Sequence, residues 1–229
     1  MSDSPPNTSY RYLGRLSYAE GLKAQEEALA ELRGETHAVL LGLEHDAVVT
    51  LGVRGRADID LQITEESLRQ KGVELATTTR GGQATVHSPG QLVIYPCISL
   101  RAFGLGPRTY VELVQTTTAR WLRETGLQIE CVAGAEPGLF HDEKKLVAFG
   151  FKIAHGLTSH GLAINVHNDL GLFDLIRICG VSGQKVTSLK NLGEKRSLEA
   201  LFLSWADTFA DALNQCEQTY SCSPPPTVV

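Results

Sequence analysis

Seven short apolar or alternating runs, each bounded by turn-forming residues, constrain the fold of this chain more than any other feature. They cover residues 38–43, 47–51, 73–78, 91–99, 127–132, 145–151 and 161–166. Runs of this length with such boundaries predict β-strands. Because the strands are grouped apart from the helical patterns, we expect a single α+β domain in which helices pack a mixed or antiparallel sheet. The strand–helix alternation of a doubly wound fold is not evident.

Three segments carry the spacing of amphipathic helices. Residues 17–20 and 109–112 have the Ser/Thr-x-x-Glu spacing of a capping box, and an apolar stripe follows the first of them. Gly126 supplies a stop for the second helix, and Ser197 precedes the third, whose apolar residues recur every three or four positions. These stripes indicate core packing.

The bulk composition describes an ordinary globular protein. Hydrophobic residues make up 42% and charged residues 21% of 229 residues, and no apolar run approaches the length of a membrane span. The polar N-terminus has no secretory signal, which predicts a cytoplasmic protein. A net charge of -5 argues against a nucleic-acid partner. We expect a flexible N-terminus over 1–9, a catalytic domain over 10–215 and a flexible proline-rich tail over 216–229.

The five cysteines form no CxxC pair, so neither a disulfide framework nor a metal site is expected. Cys97 and Cys131 have the surroundings of small core residues. Cys179 differs because it precedes Gly180 at an apparent turn. A cysteine with a pKa near ~8.5 is mostly thiol at pH 7, but an ammonium about 4 Å away contributes on the order of 4 kcal/mol toward the thiolate. A Cys/Lys pair is therefore sufficient for a nucleophile.

Three further segments carry polar side chains among glycines or apolar residues. Residues 80–91 read Arg-Gly-Gly-Gln-Ala-Thr-Val-His-Ser-Pro-Gly-Gln, where alternation places residues 83, 85 and 87 on one strand face. A plain glycine-rich hairpin explains this segment equally well. Lys145 begins an apolar strand, where desolvation lowers a lysine pKa, although a solvent-facing lysine is the more common case. His160 and Asn165 bracket another apolar run, and a core histidine is the more common interpretation there.

Together these segments resemble the lipoyl(octanoyl) transferases. The resemblance rests on Glu44-His45 before Val49-Thr-Leu-Gly52, the segment 80–91, Lys145-Leu-Val-Ala-Phe-Gly150, His160-Gly-Leu-Ala-Ile-Asn165 and Cys179-Gly180, in that order and spacing. It extends from about residue 10 to 213. The fold it implies is that of biotin and lipoate protein ligase catalytic domains. The chain departs from the family pattern at Ser88, at Leu139-Phe140 and at Ile178, which affects the expected shape of the acyl pocket.

The resemblance also implies roles for individual residues. Cys179 is the nucleophile that forms an acyl-thioester, and Lys145 lowers its pKa and transfers protons. Substrate-binding positions are Arg80, Gly81, Gly82, Gln83, Ala84, Thr85, Val86, His87, Ala148, Phe149, Gly150, Gly161, Leu162 and Ala163. His160 and Asn165 are expected to support the site.

The implied reaction transfers octanoyl from octanoyl-acyl carrier protein to a lysine of a lipoyl domain, in 2-oxoacid dehydrogenases or the glycine cleavage H protein. It uses no ATP, metal or other cofactor, because the substrate carries its own phosphopantetheine. Nucleic acid and membrane are not expected partners. Three alternatives stay open: an ATP-dependent lipoate or biotin ligase, a non-catalytic module that binds lipoyl or carrier domains, and transfer between two lipoyl proteins.

Overall fold

The computed structural model describes residues 7–32, 36–132, 138–177 and 185–221. Its strands are β1 (Asn7–Leu16), β2 (Thr36–His45), β3 (Val48–Leu51), β4 (Glu74–Thr77), β5 (Ala84–His87), β6 (Gln91–Ile98), β7 (Glu130–Val132), β8 (Gly138–His141), β9 (Lys144–Ala154) and β10 (Leu157–Asn165). Its α-helices are α1 (Tyr18–Glu31), α2 (Ala57–Asp60), α3 (Glu65–Gln70), α4 (Pro107–Glu124) and α5 (Leu198–Ser221). Short 3₁₀ helices cover Leu100–Phe103, Leu170–Leu175 and Lys190–Leu192.

The strands form two mixed sheets. The larger sheet has the order β1-β2-β6-β10-β9-β8-β7 and is antiparallel except for the parallel pair β1–β2. The smaller sheet has the order β4-β3-β5, with β4 parallel and β5 antiparallel to β3. The predicted α+β class with a mixed sheet packed by helices is confirmed.

Helices cover the two faces of the larger sheet because its central strands are apolar on both faces. Along β2, Val39 and Leu41 pack with α1, whereas Leu40 packs in the cluster that contains α4 and α5. Trp205 of α5 is fully buried, and its indole N–H donates to Thr118 Oγ1 of α4 at 3.0 Å. Among the described residues, no helix is long and apolar enough to cross a membrane.

The first predicted helix start is confirmed, and the second is wrong by three residues. Ser17 caps α1 in a capping box with Glu20. The second helix, α4, begins at Pro107 with Gly106 as its cap, and Thr109 lies inside the helix, where its hydroxyl oxygen accepts the Gly106 N–H at 3.1 Å. A proline at the first helical position needs no hydrogen-bond partner for its nitrogen, which favours this earlier start.

Both ends of the chain are more regular than the sequence predicts. The strand β1 begins at Asn7, inside the predicted flexible N-terminus 1–9, and α5 continues to Ser221, past the predicted domain end at 215. The strands β1, β5 and β8 were not among the seven predicted runs. In β1, the half-buried Tyr10 and Tyr12 flank the exposed Arg11, and both tyrosines pack against the cluster that contains α5.

Candidate active site

A cavity of about 380 Å³ is lined by residues of both sheets and by α1 and α4. It collects most of the predicted site residues: Arg80, Gly81, Gly82, Gln83, Ala84, Thr85, His87, Lys145, Ala148, Phe149, Gly150, His160, Gly161, Leu162 and Ala163. Lining residues that the sequence does not single out for the cavity are Tyr18, Arg54, Val93, Tyr95, Val111, Gln115, Phe151, Ile153 and Phe173. The apolar members of this second set carry no sequence signal that separates them from core residues.

The loop after β4 forms one wall of the cavity, and Arg80 holds it together. The Arg80 guanidinium donates to Thr50 O at 2.7 Å, to Gln83 O at 2.9 Å and to Gly81 O at 3.0 Å. Gly81 N–H donates to Phe151 O of β9 at 2.9 Å, which ties the loop to the larger sheet. Arg80 is only 8% exposed, because its guanidinium is turned toward the loop backbone.

The strand β5 presents alternate residues to the cavity, as the sequence predicts. Thr85 and His87 line the cavity, whereas Val86 is fully buried in the separate apolar cluster of the smaller sheet. The side chain of Val86 therefore does not reach the cavity, contrary to the prediction that it binds substrate.

Lys145 lies in the cavity wall near the start of β9 and is 3% exposed. Its ammonium nitrogen lies 5.5 Å from the centre of the Phe140 ring. A Cβ atom at Gly138 would lie 2.7 Å from Lys145 Cε, so glycine leaves the room that the lysine side chain occupies. The predicted solvent-facing alternative for Lys145 is wrong.

The backbone of Lys145 is paired with residues that follow the Cys179 segment in the chain. Lys145 N–H donates to Lys185 O at 2.9 Å, and Thr187 N–H donates to Lys145 O at 3.0 Å. Cys179 itself lies outside the described residues, between Arg177 and Lys185. Of the other cysteines, Cys97 is fully buried and burial raises its pKa to about 12, as expected of an inert core thiol.

Five rings pack against one another, and all of them except His45 line the cavity: Tyr18, His45, His87, Tyr95 and His160. Burial lowers the pKa of His45 to about 4, that of His87 to about 3 and that of His160 to about 4. Burial also raises the pKa of both tyrosines. At pH 7 the ring cluster is therefore neutral, and it suits an apolar ligand.

The predicted support residues act in different ways. His160 has a φ of 55°, and its N–H donates to Gln25 Oε1 of α1 at 2.6 Å. A Cβ atom at the next residue, Gly161, would lie 2.1 Å from Ile94 O, so β10 approaches β6 closely where it lines the cavity. Asn165 does not line the cavity.

Asn165 instead joins the segment after Cys179 to the middle of the sheet. Its side-chain amide donates to Thr187 O at 3.1 Å, and its side-chain oxygen accepts from Gln91 Nε2 at 3.0 Å. Asn165 thus fixes the backbone next to the residues that pair with Lys145, a structural support for the site rather than a direct contact.

The chain matches the family model of the lipoyl protein ligase A/B catalytic domain over residues 17–210. It belongs to this family. Among its relatives, an octanoyltransferase of Acidobacterium capsulatum is 43% identical over 193 residues, which cover 78% of each chain. A mitochondrial octanoyltransferase of Arabidopsis thaliana is 38% identical over 188 residues, covering 82% of this chain and 80% of the relative. The predicted family and the predicted enzyme class, acyltransferase, are confirmed.

Solved structures of ligases share the fold. A putative lipoate protein ligase from Thermoplasma acidophilum with bound lipoic acid has a TM-score of 0.73 at 17% identity, covering 90% of this chain and 86% of that one. A biotin protein ligase from Aquifex aeolicus has a TM-score of 0.55 at 12% identity, covering 92% of this chain and 72% of that one. The predicted likeness to biotin and lipoate protein ligase catalytic domains is confirmed for this member of the lipoyl protein ligase A/B family.

Proposed function

We propose that this protein transfers an octanoyl group from octanoyl-acyl carrier protein to a lysine of lipoyl domains, through a thioester on Cys179. The acceptors are lipoyl domains of 2-oxoacid dehydrogenases and the glycine cleavage H protein. Octanoyltransferase relatives at 43% and 38% identity support the transferred group. The observation that carries the proposal is Lys145, a buried lysine in the wall of a mostly apolar cavity, hydrogen-bonded through its backbone to the chain that follows Cys179.

The first half-reaction forms the acyl-enzyme. The Cys179 thiolate attacks the thioester carbonyl, the bond to the carrier's sulfur breaks, and Lys145 donates a proton to the leaving thiolate. The uncharged ring cluster lies in the same cavity and contributes an apolar wall for the octanoyl chain. Because the loop held by Arg80 is tied to both sheets, this wall is fixed before the substrate binds.

The second half-reaction releases the acyl group to the acceptor. The amine of the acceptor lysine attacks the Cys179 thioester, the carbon–sulfur bond breaks, and neutral Lys145 accepts the proton that the amine loses. Lys145 is then an ammonium again and Cys179 a thiolate, so the cycle closes without another reactant. Both steps proceed without ATP or a metal ion, and the expected kinetics are ping-pong. We expect the reaction to take place in the cytoplasm.

The test is intact-mass analysis after incubation with octanoyl-acyl carrier protein alone. The wild type gains one octanoyl group and then passes it to an added lipoyl domain, whereas Cys179→Ala gains none. Cys216→Ala is the matched control, because Cys216 is a half-exposed cysteine on α5 and does not line this cavity. Acylation of Cys179→Ala, or of Cys216 in the wild type, would contradict the assignment.

The same assay separates the proposed reaction from that of a ligase, whose fold this chain shares. A ligase requires ATP and free octanoate or lipoate, and it gives no product from the acyl carrier protein. A non-catalytic binding module gives no adduct under either condition. Modification of a lipoyl domain only when ATP and free acid are present would overturn the transferase proposal.

A further inference from the structure

Two well-exposed apolar side chains lie close together in the chain beside the cavity. Val53 is 67% exposed and Ile59 is 41% exposed. Among the described residues, one other large apolar side chain is similarly exposed, Leu203 on α5 at 43%. Val53 and Ile59 are separated by six positions, so even an extended chain holds them within about 20 Å of each other. Single exposed apolar side chains are common, so this pair indicates an interaction site only together with the backbone contacts and the charges around it.

The backbone beside Val53 is fixed to the cavity wall. Val53 N–H donates to Arg80 O at 3.0 Å, and Arg54 N–H donates to Gly82 O at 3.1 Å. The Arg54 side chain is exposed and also lines the cavity. This part of the surface is thus continuous with the loop that holds the cavity together.

Two cations border the same surface. Arg54 and Arg177 are both exposed, and neither forms an ion pair with any residue in the described part of the chain. Arg177 N–H donates to the carbonyl of Asp60, the last residue of α2, at 2.7 Å, which places Arg177 beside the helix that carries Ile59. We call Val53, Arg54, Ile59 and Arg177 the rim surface.

Arg56 lies between the apolar members of the rim surface but pairs with Asp58 at 2.7 Å. This pair is neutral, and the carboxylate of Asp60, which accepts the Arg56 N–H at 2.7 Å, offsets only part of the charge of Arg54 and Arg177. Since the whole chain has a net charge of -5, a locally positive surface next to the cavity gives an acidic partner a preferred orientation.

We propose that the rim surface docks the acyl donor, an acidic carrier protein that holds its acyl thioester on a phosphate-bearing arm. This inference rests on the proposed function. Arg54 lies both at the surface and in the cavity lining, where a cation binds the phosphate of an arm that enters the cavity. Val53 and Ile59 contact apolar side chains of the carrier, and burial of that pair stabilises the complex.

Charge separates the donor from the other candidates for this surface. The acyl acceptor presents a lysine amine and no phosphate, so it leaves Arg54 without an anionic group to bind. A membrane surface is recognised by clusters of about four to eight basic residues, whereas the rim surface has two. The acidic donor is the occupant that fits both the apolar and the cationic members.

The test compares two donors on the double variant Val53→Glu/Ile59→Glu. The second-order rate constant for acylation of the enzyme is measured with octanoyl-carrier protein and with octanoyl-pantetheine, which lacks the carrier. We expect the rate constant for octanoyl-carrier protein, divided by that for octanoyl-pantetheine, to fall at least about tenfold, because two carboxylates now face an acidic partner. The matched control Leu203→Glu introduces a carboxylate at a similarly exposed apolar position and leaves the ratio unchanged. Arg54→Ala weakens the salt dependence of the carrier reaction.

The second step provides the complementary measurement. The double variant and Leu203→Glu, once acylated with octanoyl-pantetheine, should pass the group to a lipoyl domain at the wild-type rate. An unchanged donor ratio in the double variant, or a loss confined to this second step, would overturn the docking proposal. Failure of the proposed function is distinguishable, because it would already appear in the wild type as a lack of acylation by the carrier-bound donor.

Discussion

Three buried imidazoles should make the fold lose stability as the pH falls from 7 to 5. Burial is the main cause that lowers the pKa of His45 to about 4, of His87 to about 3 and of His160 to about 4. In the unfolded chain a histidine has a pKa of about 6.5. The unfolded state therefore binds more protons than the folded state below pH 6.5. The stabilisation is complete above this pH and is lost as the pH falls toward the folded-state values.

The loss of unfolding free energy depends on how far the pH lies below the histidine pKa of the unfolded chain. At pH 5 each imidazole is mostly protonated in the unfolded chain and mostly neutral in the folded one, which costs about 2 kcal/mol per histidine. Three such groups cost about 6 kcal/mol, comparable with the whole stability of a typical domain. Carboxylates contribute little to the pH dependence of stability above pH 5. Hydrogen bonds from Arg196 lower the pKa of the Glu194 carboxyl to about 2, so this group affects stability only at lower pH.

The assay is urea denaturation at several pH values between 7.5 and 5. The free energy of unfolding should fall by up to about 4 kcal/mol per pH unit at the acidic end, the slope for three protons. His87→Gln should reduce the loss between pH 7.5 and pH 5 by about 2 kcal/mol relative to the wild type. His155→Asn, at an exposed position, should leave it unchanged. A wild-type loss below about 1 kcal/mol, or the same pH dependence in His87→Gln, would refute the reasoning.

Three substitutions test the walls of the cavity. Gly161→Ala places a Cβ atom 2.1 Å from the Ile94 carbonyl oxygen, so it should destabilise the fold by about 1–3 kcal/mol or more in urea denaturation and reduce acyl transfer. Arg80→Lys keeps the charge but loses the planar guanidinium that binds several backbone carbonyls, and thermal unfolding should show a loss of about 1–3 kcal/mol. Gln25→Leu removes the acceptor of the His160 N–H and should cost about 1–3 kcal/mol, whereas Gln25→Glu, which keeps an acceptor, should cost less in the same denaturation assay.

Much of the sheet could be predicted from the sequence because buried strands carry a strong apolar pattern. The predicted run 91–99 becomes β6 (Gln91–Ile98), whose residues are all buried. The strand β5 gave a weaker signal, since two glycines precede it and its polar Thr85 and His87 face a cavity rather than solvent. The alternation along β5 nevertheless predicts that Thr85 and His87 share a face, and both line the cavity.

The candidate site was predicted through motifs, whereas the ring cluster around it was not. Tyr18 has the spacing of a helix core residue, and Tyr95 lies in a continuous apolar strand, so neither differs in sequence from ordinary packing. Gln25 is on the helical stripe of α1, but its contact with His160 joins residues that are far apart in the chain. Only the tertiary fold brings these side chains together, and local spacing carries no information about such a contact.

The charged and uncharged parts of the cavity match the several chemical parts of the proposed substrate. The three imidazoles are neutral at pH 7, so the ring cluster itself carries no charge, and the neighbouring Arg80 guanidinium is bonded to backbone carbonyls. Lys145 supplies a buried ammonium elsewhere in the lining, and Arg54 supplies an exposed cation. An acyl chain, a reacting thioester and a phosphate require, in turn, an apolar wall, a proton donor and a cation. Under the proposed function, the same division makes the enzyme sensitive to acid, since protonation of the ring cluster places charge in the wall proposed for the acyl chain.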